Sequence, residues 1–155
     1  MPPSNGPYLN YAAVCEKVLH EADGVLSLIR IIDRITVTVI VPALPGTQPV
    51  PNLIPSAPPI SVTFVLGLKS GDFVGSVPVK VWIETPARAR WPEYETTARL
   101  EGQERGANVI LPLQFPAQQE GIYWFVVEVS GETLTRVPLS INKQVVTQAV
   151  PPQLG

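Results

Sequence analysis

The sequence predicts an all-β domain, an antiparallel sandwich or barrel of roughly eight short strands. Three observations carry this. Apolar residues recur at every second position in four separate stretches, glycine-centred turn signals fall between those stretches, and no segment keeps a long helical apolar period.

The clearest strand is Ile60–Lys69, where Ile60, Val62, Phe64, Leu66 and Leu68 share a face opposite Ser61, Thr63 and Lys69. Such alternation places one face on a core and leaves the other partly wet. Val77, Val79, Val81 and Ile83 repeat the rhythm, as do Val109, Leu111, Leu113 and Phe115, and again Tyr123, Phe125, Val127 and Val129. The turns Ser70-Gly71-Asp72, Glu101-Gly102-Gln103, Ala117–Gly121 and Ser130-Gly131 separate apolar runs.

Four further elements follow. Val25–Ile40 reads as one long β-branched strand, with Val25, Ile29, Ile31, Ile35 and Val37 on one face. Tyr11–Leu19 precedes it, joined through a turn containing Asp23-Gly24, a pair suited to the positive φ of tight hairpins. A short amphipathic helix over the same residues is the alternative. Tyr94–Leu100 reads as an edge strand and Leu134–Ile141 as the last strand. Pro78, Pro112 and Pro138 cannot donate to a ladder, so they imply edge strands or bulges.

Residues 8–143 are expected to form the single domain, with flexible tails at 1–7 and 144–155. Within it, 42–59 holds seven prolines in eighteen residues and reads as an extended crossover between sheets.

Composition excludes several functions. A chain of 155 residues buries roughly 68–70% of its unfolded surface and needs no metal or disulfide to hold a core. Its single cysteine, Cys15, permits no internal disulfide and no cysteine-based zinc cage. Within Ala12-Ala13-Val14-Cys15 it is expected to act as a small buried hydrophobe. The net charge is −2, with scattered lysines and arginines, so the basic stripe that nucleic acid requires is missing. Residues 1–7 resemble no signal peptide and no apolar run reaches membrane-span length. The expectation is a cytoplasmic protein without membrane or nucleic-acid partners and without a cofactor.

Two blocks resemble a known group. Cys15–Leu19 with Asp23–Ile35 is similar to the opening hairpin of a family of small uncharacterised bacterial proteins. Gly121–Val129 with Gly131–Leu134 and Val137–Ile141 is similar to that family's closing strands and to the end of many immunoglobulin-like domains. The resemblance covers roughly 11–141. It implies an immunoglobulin-like sandwich and brings no activity or site residue with it.

Candidate chemistry is sparse. Histidine-dependent catalysis would have to use His20, the only histidine, which sits in the predicted hairpin turn beside Glu21 and Asp23. Glu93, Glu95 and Glu101 could supply paired carboxylates for hydrolysis, but on the wet side of an edge strand they serve solubility and block edge pairing. Asp33 shares the face of Ile31 and Ile35, which would point a carboxylate inward as a hydrogen-bonding anchor. Tyr123 is a candidate corner tyrosine that ties a turn.

The binding candidates are Arg88, Arg90, Trp91 and Tyr94, in a loop over Thr85–Tyr94, with Trp82 and Trp124. Guanidinium groups beside aromatic faces can hold an anionic or sugar-like partner, whereas a tryptophan folded back over the sandwich end would be purely structural. Trp82 and Trp124 lie opposite their valine rows, on an exposed sheet surface or under the proline-rich crossover. Exposed together, they would form an apolar patch for a protein partner or a second copy. The expected function is a non-catalytic protein-interaction or accessory module, the alternative a small-ligand or carbohydrate-binding domain using Arg88–Tyr94.

Overall fold

Among the described residues the apolar rows become nine strands in two sheets. The computed structural model describes residues 6–43, 53–54 and 59–149, and of Trp91 the backbone alone. The strands are β1 (Tyr8–His20), β2 (Leu26–Ile31), β3 (Arg34–Pro42), β4 (Ile60–Lys69), β5 (Val74–Glu84), β6 (Arg90–Glu101), β7 (Gly106–Phe115), β8 (Gly121–Val129) and β9 (Glu132–Gln148). One sheet has the order β2-β1-β4-β7, the other β3-β9-β8-β5-β6.

The ninth strand arises because Val25–Ile40 is not one strand. Its two halves lie in different sheets, and the change occurs at one peptide. The amide of Ile32 donates to the carbonyl of Val14 in β1, while the carbonyl of Asp33 accepts from the amide of Ser140 in β9. Arg30, at φ 55°, bends the chain just before this point. Asp33 is consequently exposed at the crossing rather than pointed inward. The preceding hairpin forms as expected, with His20 opposite Leu26, and the helical alternative is not adopted.

Between the sheets lie the even-numbered apolar residues of β4 and the odd-numbered ones of β5 and β8. Phe64 and Phe125 stack with ring centroids 5.6 Å apart, and Phe115 meets Phe125 edge-on at 6.1 Å. The order β9-β8-β5-β6 is the G-F-C-C′ order of a variable-type immunoglobulin sheet, and β1-β4-β7 follows A-B-E. Tyr123, near the start of β8, donates its hydroxyl to the carbonyl of Gln119 at 2.8 Å. This is the corner tyrosine of that fold. Two residues later, where an antibody domain carries its second cysteine, stands Phe125. The Phe64–Phe125 stack between β4 and β8 therefore takes the place of the inter-sheet disulfide.

The prolines refine the expected rule. Pro112 lies on β7, an edge strand. Pro78 and Pro138 lie on inner strands, but each sits just outside a ladder. The β5–β8 pairing begins at Val79 and the β3–β9 pairing at Ser140. The amide each lacks has no ladder partner to lose.

β9 runs on to Gln148, so the boundary expected after residue 143 falls inside a strand. Beyond Ile141 this strand has lost β8 and pairs with β3 alone, in parallel. Of the proline-rich 42–59, only 42–43, 53–54 and 59 are among the described residues. The segment joins β3 to β4, and hence one sheet to the other. Ile54 is buried, with its amide on the carbonyl of Gln118.

Candidate functional site

Strand parity decides which candidate residues meet. On β5 the odd residues face the core, so Lys80, Trp82 and Glu84 face outward from the five-stranded sheet. The β5–β6 register sets Trp82 opposite Glu93 and Val81 opposite Tyr94. Tyr94 therefore packs against the core and leaves the candidate set. The expected loop Thr85–Tyr94 is also shorter than predicted, because β6 starts at Arg90. Trp91 lies in β6, and its side chain is outside what the structure describes.

Arg90 folds its guanidinium over Trp82, 3.7 Å from the ring centroid, and reaches the Glu93 carboxylate at 3.4 Å. Lys80 pairs with Glu93 at 3.7 Å and Glu95 at 3.9 Å. Trp82 is thereby reduced to 7% exposure. It is a covered residue, and the exposed two-tryptophan patch does not form.

Trp124, on β8, lies opposite Glu84 of β5 on one side and Pro138 of β9 on the other. Arg136 of β9 stretches across it, 4.6 Å from the ring centroid, to meet Glu84 at 3.5 Å. Arg136 was not predicted. Its distance from Trp124 in sequence hides the pairing, and only its place on the outer face of the last strand could have signalled it. Trp124 keeps partial exposure.

Beside this pair the β5–β6 turn folds back. The amide of Arg88 donates to the carbonyl of Thr85, and the Thr85 hydroxyl accepts from the amide of Ala89. Arg88 holds φ 63°, a conformation disfavoured for any residue but glycine. Gly121 makes the close approach possible. Its φ is +138°, and a Cβ there would stand 2.7 Å from the Pro86 ring.

Glu84, Thr85, Pro86, Arg88, Ile122, Trp124 and Arg136 enclose an open depression of about 580 Å³. Its charge is two guanidiniums against one carboxylate, and that carboxylate is taken by Arg136. The Arg88 side chain is exposed, and no ion pair joins it to another described residue. Such a surface can receive an anion against Arg88 and lay an apolar or planar group on Trp124 and Ile122.

The other sequence candidates do not assemble into a reactive site. His20 is exposed at the end of β1. Glu93 and Glu95 share Lys80, and Glu101 pairs with Arg105 at 3.0 Å. Asp23 accepts the amide of Val25 and closes its hairpin. Among the described residues no cluster of three or more His, Cys, Asp or Glu side chains is placed to hold a metal. Burial pushes the Cys15 thiol above its ordinary pKa. That holds it in the unreactive protonated form.

No family model and no curated protein matches this chain. Solved structures do. A CARDB domain from Pyrococcus furiosus, in complex with di-metal ions, aligns at 13% identity and TM-score 0.40 over 90% of this chain and 97% of that one. An immunoglobulin-like protein from Pseudomonas aeruginosa aligns at 12% identity and TM-score 0.40 over 90% and 99%. The alkylpurine DNA glycosylase AlkC from Pseudomonas fluorescens, bound to DNA with an abasic-site analog, aligns at 12% and TM-score 0.38 over 54% of this chain and 26% of its own. These alignments assign no activity. No helix is long and apolar enough to cross a membrane among the described residues.

Proposed function

We propose that this chain is a non-catalytic interaction module whose five-stranded sheet receives an acidic segment of a protein partner at the Arg88–Trp124–Arg136 depression. The observation that carries the reading is Arg88, a guanidinium held at φ 63° beside Trp124 with no ion-pair partner among the described residues. Lys80 and Arg90 on that face are engaged with Glu93, and Arg136 with Glu84. An unengaged arginine at an aromatic surface suits recognition better than stability, since exposed charges contribute little to folding. The open side of the depression favours a chain segment over a small enclosed ligand or sugar. The module works without a cofactor, in the cytoplasm, and belongs with the small bacterial family that its opening and closing strands resemble.

The test uses a fluorescein-labelled hexaglutamate peptide and fluorescence anisotropy. Wild-type protein binds it with an affinity that falls as salt rises, and Arg88→Glu weakens binding by about tenfold or more, the scale of one desolvated charge contact. Equal binding by the two proteins, or none by wild type at any salt, refutes the site. A thermal-shift response to free sugars, abolished by Arg88→Glu, would move the reading to the small-ligand alternative.

A further inference from the structure

Among the described residues the two sheets end in four edge strands, β2, β7, β3 and β6. Natural proteins guard such edges with charge, proline, bulges or brevity. β2 has six residues and is bent at Arg30. β7 carries Pro112 at mid-strand, and β6 carries Pro92 with Glu93, Glu95, Arg99 and Glu101. β3 carries a charge and a proline only at its two ends, Arg34 and Pro42. Ile35-Thr36-Val37-Thr38-Val39-Ile40-Val41 holds no charge, proline or glycine, and its pairing with β9 runs without a register shift.

The hydrogen bonds at both ends of β3 fix which residues face out. Asp33 gives its carbonyl to Ser140, and Ala43 gives its amide to the carbonyl of Gln148. Odd-numbered residues therefore bond to β9. By strand alternation the N–H and C=O groups of Arg34, Thr36, Thr38 and Ile40 point away from the sheet. No other described strand pairs with this edge.

We propose that β3 pairs antiparallel with β3 of a second copy, about a two-fold axis at Val37, joining two five-stranded sheets into one. This goes beyond the Arg88 site and uses a different surface. The strand is self-complementary in this register. Pairing about Val37 sets Thr36 opposite Thr38, Ile35 opposite Val39 and Arg34 opposite Ile40, with no like charges facing. Each outward residue then exchanges backbone bonds with a residue that has both groups to give. Centring on Thr38 would instead put Arg34 against Pro42, which has no amide. Ile40, 62% exposed beside Val146 at 42%, comes under the aliphatic stem of the partner's arginine at position 34. A two-fold contact closes at the dimer and leaves no edge of this kind free.

Sedimentation equilibrium from low micromolar to millimolar protein tests this. Wild type shifts from monomer to dimer. The double variant Thr36→Lys with Thr38→Lys faces lysine with lysine across the axis and raises the dissociation constant about tenfold or more. Thr36→Lys with Thr38→Glu faces opposite charges in the same register and keeps the dimer. Thermal melts confirm that both variants fold. Amide exchange on wild type gives a second reading, with Thr36, Thr38 and Ile40 protected only at high concentration. A wild type that stays monomeric at millimolar concentration overturns the proposal. So do two variants that behave alike, and so does protection of those amides in the monomer, which would mean the edge is covered from within the same chain.

Discussion

Removing either ring of the Phe64–Phe125 stack should cost more than any other single truncation in the core. Both rings are fully buried and lie parallel at 5.6 Å, joining β4 to β8 where the fold elsewhere uses a disulfide. A buried phenylalanine cut to alanine costs about 3–5 kcal/mol in lost transfer energy and residual cavity. The stack itself adds about 0.5–1.5 kcal/mol beyond area. Phe125 also meets Phe115 edge-on at 6.1 Å, so Phe125→Ala belongs at the upper end of that range and Phe64→Ala slightly lower. In a domain of this size, where about 1 kcal/mol moves the melting temperature by 2–4 °C, the loss is on the order of 10 °C or more. Urea titrations of wild type, both single variants and the double variant give the coupling directly. The expected interaction energy is about 0.5–1.5 kcal/mol, with the double variant losing less than the sum of the singles. Strict additivity, or a Phe125→Ala cost of about 1 kcal/mol, the average for any mutation, would refute the view that the stack replaces a covalent staple.

Other perturbations follow from the same geometry. Tyr123→Phe removes the corner bond to Gln119 and should cost about 1 kcal/mol by urea titration, leaving Arg88-dependent peptide binding intact. Gly121→Ala combines a left-handed φ with a collision at Pro86, and should destabilise by about 1–3 kcal/mol while disturbing the depression; unchanged stability and peptide affinity would show that the turn does not lean on β8. Burial raises the pKa of Cys15 and of Tyr123. The unfolded chain then loses these protons at lower pH than the folded one. The stability they contribute is complete below the unfolded thiol pKa of about 8.5, and falls as pH rises through the higher folded values. Cys15→Ala should abolish the thiol part of that alkaline decline, measured by urea titration between neutral pH and about pH 10.

Alternation was enough to read the core. The rows from Ile60 to Leu68, Val77 to Ile83, Val109 to Phe115 and Tyr123 to Val129 all point inward, with Leu111 only half-buried, because period two is a property of the strand itself. Tyr123 was legible for the same reason, being local: its bond spans four residues. Cys15, read as a buried hydrophobe, is one.

The candidate site was legible only in pieces. Trp82 and Trp124 fall opposite their valine rows, as strand parity requires. Which cation covers each is a question of cross-strand register, and register links residues far apart in the chain. Arg136 reaches Glu84 across an intervening strand, so no spacing in the sequence could announce it. Tyr94 is turned toward the core because β6 begins earlier than its apolar pattern suggests and parity sets its side.

The sequence by itself determined that this chain makes strands, which side of β4, β5, β7 and β8 is apolar, and where the tight turns fall, since all three depend on a few adjacent residues. Val25, Ile29 and Ile31, read as one apolar face with Ile35 and Val37, are exposed because the chain changes sheet after them. The tertiary structure alone decided that Val25–Ile40 divides at Ile32-Asp33 between two sheets, that β3 joins β9 in parallel, and that Arg88 stands beside Trp124 with no ion-pair partner among the described residues. Those outcomes depend on which distant strands compete for the same backbone hydrogen bonds, and that competition is settled only when the whole chain has closed around its core.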